Sequence, residues 1–198
     1  MPLKRISLFC VWAGAACFLG ATMVQPGGYD WNRDYISTLL KATSSPVRRL
    51  AVIGMLLFCV GIALVFARLA RAPEFSKVSK AIRIGGIGSM VYAALAFTPM
   101  HDLMVTIAFL FFLVAVLALL WALYILGEST LFSCGCLCSA VLVVCATAYY
   151  ARDYGGLLAW TERASFAVFA AWLFLLDGRF PRHRLQEQAR SDGVQPRS

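Results

Sequence analysis

Charge is the first thing this chain of 198 residues has little of. Asp, Glu, Lys and Arg make up 14% of it, against 61% hydrophobic residues. A soluble domain carries about 25% charged residues. There is too little polar surface to coat a globule in water, and no hydrophilic stretch is long enough for a second, soluble domain. Histidine is scarcer still, with two in the chain. A zinc hydrolase needs several metal ligands, so none is expected. The chain has no glycine-rich phosphate loop, and it lacks the paired-histidine and basic signatures of lipid phosphatases. Its seven cysteines (Cys10, Cys17, Cys59, Cys134, Cys136, Cys138 and Cys145) all fall within apolar stretches, so no disulfide framework is implied. On a helix Cys134 and Cys138 share a face while Cys136 points away. These residues therefore read as small packing residues, and neither a metal nor another cofactor is expected.

What is present is length without polarity. Apolar stretches occupy residues 6–24, 50–67, 82–97, 103–126, 131–150 and 157–176. A helix rises ~1.5 Å per residue, so ~20 apolar residues cross a ~30 Å hydrocarbon core. The stretch at 82–97 is short, which flanking residues or local thinning accommodates. The fold expected is all-α: a polytopic six-helix transmembrane bundle over residues 1–176, with an external loop at 25–49. A basic, disordered tail is expected at 177–198. Lys4 and Arg5 resemble the start of a signal peptide, but the apolar run behind them is too long for one, and a retained first span is expected.

Twelve of the eighteen Lys and Arg residues fall before span one, between spans two and three, or after span six. These are alternate connections, so the positive-inside rule places both termini in the cytoplasm. Arg33, Lys41, Arg48 and Arg49 run against that bias. The net charge of +8 then reads as an orientation signal that touches anionic lipids, and the partners expected are membrane lipids, not nucleic acid. Small residues in span one (Ala13, Ala16, Cys17, Gly20) and span three (Gly85, Gly86, Gly88) predict close helix contacts inside the bundle. Span four is bulky and predicts a lipid-facing side.

The long loop after Pro26-Gly27-Gly28 carries Asp30, Arg33, Asp34, Ser37 and Lys41 at helical spacing, with Trp31, Tyr35, Ile36, Leu39 and Leu40 on the other side. This predicts an amphipathic helix at the outer interface, with its polar stripe in water or turned over the bundle mouth as a lid. Thr98-Pro99-Met100-His101-Asp102 joins spans three and four. Thr98 can cap a helix with Pro99 at its first position, and a neutral His101 there can act as base or acceptor. Glu162 and Arg163 begin span six about 100° apart, so they cannot pair face to face. Arg163 can reach the head groups, which turns Glu162 toward the bundle.

Asp34, Ser37, His101, Asp102, Arg152, Glu162 and Arg163 are thus expected to line one outward-opening polar pocket. Its mixed charge suits a lipid head group or another amphiphile held by a binding or accessory protein. Ser37, His101 and a carboxylate from Asp102 or Glu162 also meet the parts list of an intramembrane hydrolase or acyl-transfer enzyme. A small transporter is a third reading, but charges are absent from the middles of the spans. Six short-looped spans, Tyr35-Ile36-Ser37 before span two, His101 opening span four and Glu162 opening span six resemble the Frag/DRAM/Sfk group. The chain is also similar to a family of small bacterial membrane proteins of unknown function. In the eukaryotic group the serine is followed by an acid and a nearby Pro-Glu; here Thr38 follows Ser37, and Ser45-Pro46-Val47 has no glutamate. The bacterial resemblance implies a multi-pass protein of the inner membrane.

Overall fold

The computed structural model describes residues 2–151 and 156–180. Among them the secondary structure is helical, with no strand. The helices are α1 (Pro2–Met23), α2 (Ile36–Leu40), α3 (Ser45–Leu69), α4 (Ser79–Ala94), α5 (His101–Ile125), α6 (Ser129–Tyr150) and α7 (Leu157–Arg179), with a 3₁₀ segment at Pro73–Val78. Five of these, α1, α3, α5, α6 and α7, are long and apolar enough to cross a membrane, as an integral membrane protein requires. Helix α4 has 16 residues, about 24 Å at 1.5 Å per residue, and falls short of that length.

The breaks between helices are local. Gly27 and Gly28 adopt φ of 82° and 85° directly after α1, a conformation closed to most residues with a side chain. Helix α3 restarts the chain with Ser44 at its N-cap and proline in its first turn, where the missing N–H costs nothing. The six long helices run up and down between two ends. One end, the loop end, gathers residues 24–44, residues 95–100 and the start of α7. The other, the terminal end, gathers the start of α1, residues 70–78, the α5–α6 turn and the end of α7.

Small residues set the close crossings, at the α4 glycines named from sequence and also at Gly14 and Gly61, which were not. A Cβ on Gly14 of α1 would sit 2.7 Å from the Gly54 carbonyl oxygen and 2.9 Å from the Phe58 nitrogen of α3. On Gly61 it would meet the Ser7 carbonyl oxygen at 2.8 Å. Gly85 of α4 packs just as tightly on the Phe111 carbonyl of α5, and Gly86 on the Phe66 ring. The position of α1 differs from expectation. It packs on α3 and barely on anything else, with Phe9 70% and Trp12 68% exposed. Its small residues lie along one stripe, so it gains one close neighbour and stays at the rim. Helix α5 shows the outward face expected of it, through Leu110, Val114, Leu117 and Trp121.

Packing is densest in the terminal half. Phe66, Phe75, Ile82, Leu119, Leu123, Trp172 and Leu176 are fully buried there, and Trp172 Nε1 donates to the Leu131 carbonyl at 3.0 Å. Below this core lies an ionic knot. Arg68 of α3 donates to both Asp177 oxygens, from Nε at 2.8 Å and Nη2 at 2.9 Å. The same guanidinium reaches Ser7 Oγ at 2.8 Å and the Leu3 carbonyl at 3.0 Å. Three helices are tied by one side chain. Asp177, the first residue of the expected tail, is therefore a buried part of α7, which continues to Arg179; residues 181–198 lie outside the described residues.

Removing one member of such a pair strands the other without water. Asp177→Ala is expected to cost about 3–5 kcal/mol, read as a lower Tm in detergent micelles. The apolar double replacement Arg68→Met with Asp177→Leu is expected to recover most of the loss.

Candidate functional site

The loop end is less densely filled. A cavity of about 230 Å³ opens between α3, α4, α5, α6 and α7, with Ser37 and Leu40 of α2 across its top. Its walls are apolar for most of their length: Met55, Phe58, Ala93, Val105, Phe112 and Phe169 are typical. On α5 it extends from His101 to Phe112, and on α7 from Leu158 to Ala170. At 1.5 Å per residue these runs are about 16 and 18 Å long, close to half of a ~30 Å hydrocarbon core. Polar side chains near the mouth include Ser37, His101, Tyr149 and Glu162; Ser165 lies one turn further along α7, and Ser89 of α4 also lines the wall.

The loop that forms the top is folded differently from the predicted amphipathic helix. Residues 29–34 are turns, and the helix is confined to Ile36–Leu40. The Asp34 carboxylate accepts the Asp30 N–H at 2.9 Å, and the Asp30 carboxylate accepts the Asn32 N–H at 2.9 Å. These local bonds offer the backbone an alternative to helix, which is what short acidic side chains do well. Tyr29 donates to the Asp34 carbonyl at 2.9 Å, and burial pushes its phenol up to about 12, so it stays a donor. Leu39 and Leu40 are fully buried. The loop is plugged into the bundle by its leucines instead of resting on the interface.

Two neighbouring side chains of α7 hold it there. Glu162 Oε2 accepts the Ile36 N–H at 2.6 Å, and the Ser37 hydroxyl and N–H face the same carboxyl. The first N–H groups of a helix have no partner of their own, and Glu162 supplies one. Arg163 donates to the Trp31 carbonyl, and its guanidinium lies 5.3 Å from the Trp31 ring and 5.1 Å from the Trp160 ring. The guanidinium thus makes cation–π contacts with two indoles. Gly156, at φ 92°, passes so close to Asn32 that a Cβ would meet its carbonyl oxygen at 2.7 Å.

His101 is the first residue of α5, with Met100 at the N-cap; Thr98 and Pro99 lie in the turn before it. The ring is buried. Nδ1 donates to the Ala96 carbonyl, which leaves Nε2 as the acceptor of a neutral ring. His101 borders both the cavity and a polar surface cleft holding Lys41, Arg48 and Asp102. Asp102 Oδ1 accepts from Tyr149 at 2.8 Å and lies 3.8 Å from Lys41 Nζ. Of the residues named from sequence, Ser37, His101 and Glu162 come together around the cavity. Asp102 stands in the adjoining cleft, Asp34 and Arg163 brace the loop, and Arg152 lies outside the described residues. Among the described residues no group of three or more His, Cys, Asp and Glu is placed to hold a metal ion.

No protein-family model, curated protein or solved structure matches this chain. Its site rests on its own geometry. Tyr149, Ser165 and Cys145 also line the cavity and were not singled out from sequence. Ser165 carried a usable signal, since it lies three residues after Glu162 and so on the same helical face.

Glu162→Ala is expected to release the start of α2 while leaving the bundle folded. The Ile36 amide should lose at least about tenfold of its hydrogen-exchange protection, the scale of one lost hydrogen bond. Amides in the terminal half should exchange as in the parent.

Proposed function

We propose that this protein is a six-span membrane protein, with both termini in the cytoplasm, that binds one chain of a membrane lipid in its outer half. The observation that carries this reading is the apolar cavity, one leaflet deep, with polar groups at its mouth. Depth, lining and the polar rim match an amphiphile whose chain lies inward and whose head group rests near Ser37, His101 and Glu162. Energetics favour an apolar occupant, since each CH₂ of a chain buried against these walls and away from water gains about 0.8 kcal/mol.

A route from the bilayer is also at hand. Helices α5 and α6 follow one another across a tight turn yet touch less than α4 and α5 or α6 and α7. At the loop end their seam is latched by Tyr149 on Asp102 and by Tyr150 on Thr106 at 3.0 Å. A chain entering through that seam would not need to cross water.

The six-span count takes α4 as a short crossing flanked by residues 73–78 and 95–100, and the orientation follows the basic residues at the terminal end. Hydrolysis or acyl transfer gains less support. His101 spends Nδ1 on a backbone carbonyl, where a triad would use a carboxylate, and the Ser37 hydroxyl faces Glu162.

Native mass spectrometry of protein purified in mild detergent is expected to show one retained lipid per chain. Ala108→Trp, which fills the cavity from α5, and His101→Ala, which removes part of the rim, should both fold and lose it. Full retention in both variants would overturn the reading. Orientation has its own test: Arg33→Cys should react with an impermeant thiol reagent in intact cells, above the background of the parent. Reaction only after permeabilisation would invert the topology.

A further inference from the structure

One hydroxyl in the cavity breaks a habit of this chain. Many serines and threonines within its long helices fold back onto carbonyls of their own helix: Ser7 onto Lys4, Ser89 onto Gly86, Ser139 onto Gly135, Thr147 onto Val143 and Thr161 onto Leu157. That is how a hydroxyl avoids being stranded in an apolar medium. Ser165 does otherwise. The residue is 8% exposed, and its Oγ finds no oxygen or nitrogen partner among the described residues. Its polar neighbour is the Cys145 thiol across the cavity wall, a weak donor and weak acceptor. Ser165 lines the cavity one helical turn, about 4.5 Å, below Glu162.

We propose that Ser165 is a ligand-binding residue that donates its hydroxyl hydrogen to the acyl carbonyl of the bound lipid. The proposal rests on the reading of the cavity as a lipid-chain site and adds the chemical class: an acyl lipid, not an ether lipid or a bare hydrocarbon. The position suits the linkage. In an acyl lipid the carbonyl is the last polar group before the chain, so it sits just below the head group. Here the head-group ring is Ser37, His101 and Glu162, and the next polar side chain inward along α7 is Ser165. Below it the α7 wall continues as Phe166, Phe169 and Ala170. A free fatty acid fits less well, because its carboxylate at this depth would share a dry site with the Glu162 carboxyl, and two such groups resist ionising together.

The test uses a palmitoyl lysophosphatidylcholine and its hexadecyl ether counterpart, which share head group and chain length and differ at the carbonyl. Both are offered in competition to the delipidated protein and read by native mass spectrometry. The parent is expected to hold the ester about fivefold better, the scale of one neutral hydrogen bond. Ser165→Ala should still bind but lose the preference, and Ser165→Thr should retain part of it. Because the hydroxyl has only the weakly bonding Cys145 thiol beside it, Ser165→Ala should also leave the Tm of the lipid-free protein unchanged or raised. A fall in that Tm would mark a structural role and overturn the proposal. Equal binding of the two lipids by the parent would overturn the carbonyl contact and leave the chain site standing. Binding of neither lipid would bring down the chain site and this contact together.

Discussion

In hydrocarbon a polar side chain cannot turn to water, so each one inside this bundle needs a partner in the protein or a place at an end. Helix α7 bears most of that constraint. Asp177 binds Arg68 at the terminal end, and Glu162 binds the start of α2 at the loop end. The two acids are fifteen positions apart, about 22 Å along the axis and about 60° round it. Both therefore face inward. A buried ion pair is often no more stable than an apolar replacement, but it tolerates little misplacement of either partner. Arg68 also reaches Ser7 and the Leu3 carbonyl, so it fixes the register of α1 and α7 against α3. With one end of α7 placed in this way, the other is set to receive the loop.

The parts of the fold that depend on length and side-chain size were legible in the sequence. Apolar runs located the long helices to within a few residues, and the glycines of α4 marked close contacts, with backbone at Gly85 and with aromatic rings at Gly86 and Gly88. The parts that depend on a choice between local partners were not. The stripe from Asp30 to Lys41 has helical spacing, yet Asp30 and Asp34 bond backbone N–H groups beside them and halt the helix. Periodicity carries no information about that competition. Asp177 looked like the first residue of a charged tail because its partner, Arg68, lies 109 positions earlier. Glu162 could be read as turning inward, but the acceptor role it takes toward Ile36 required knowing where the loop lands. Ser165 was missed because one serine in an apolar helix is ordinarily satisfied by its own backbone.

The mouth combines two kinds of contact with different consequences. Leu39 and Leu40 hold α2 down by burial, which has no direction and tolerates sliding. The Glu162 contact to the Ile36 N–H is directional, and it decides which face of α2 meets the cavity. Without it the leucines alone would leave Ser37 free to rotate away from His101. Arg163, stacked between Trp31 and Trp160, fixes the preceding turn in the same way. The polar rim is thus assembled by α7 acting on a segment that has little helical structure of its own.

The cavity itself follows from side-chain choice, not from splayed helices. Where α5 and α7 pass through the terminal half, the positions facing inward are Leu119, Leu123, Trp172, Leu173 and Leu176, and the space is filled. Higher on the same two helices and on α4 and α6, the cavity is lined by Ala93, Ala108, Ala146, Ala170 and Ser165. Aromatic pairs close it below, with Phe58 against Phe166 and Phe112 against Phe169 in edge-to-face contact at 5.5 and 4.8 Å. Larger residues at the small positions would close the void and gain dispersion contacts of the kind that stabilise any core. The chain instead combines small walls, an aromatic floor and a roof anchored by Glu162, which is the arrangement expected when the filling atoms come from another molecule.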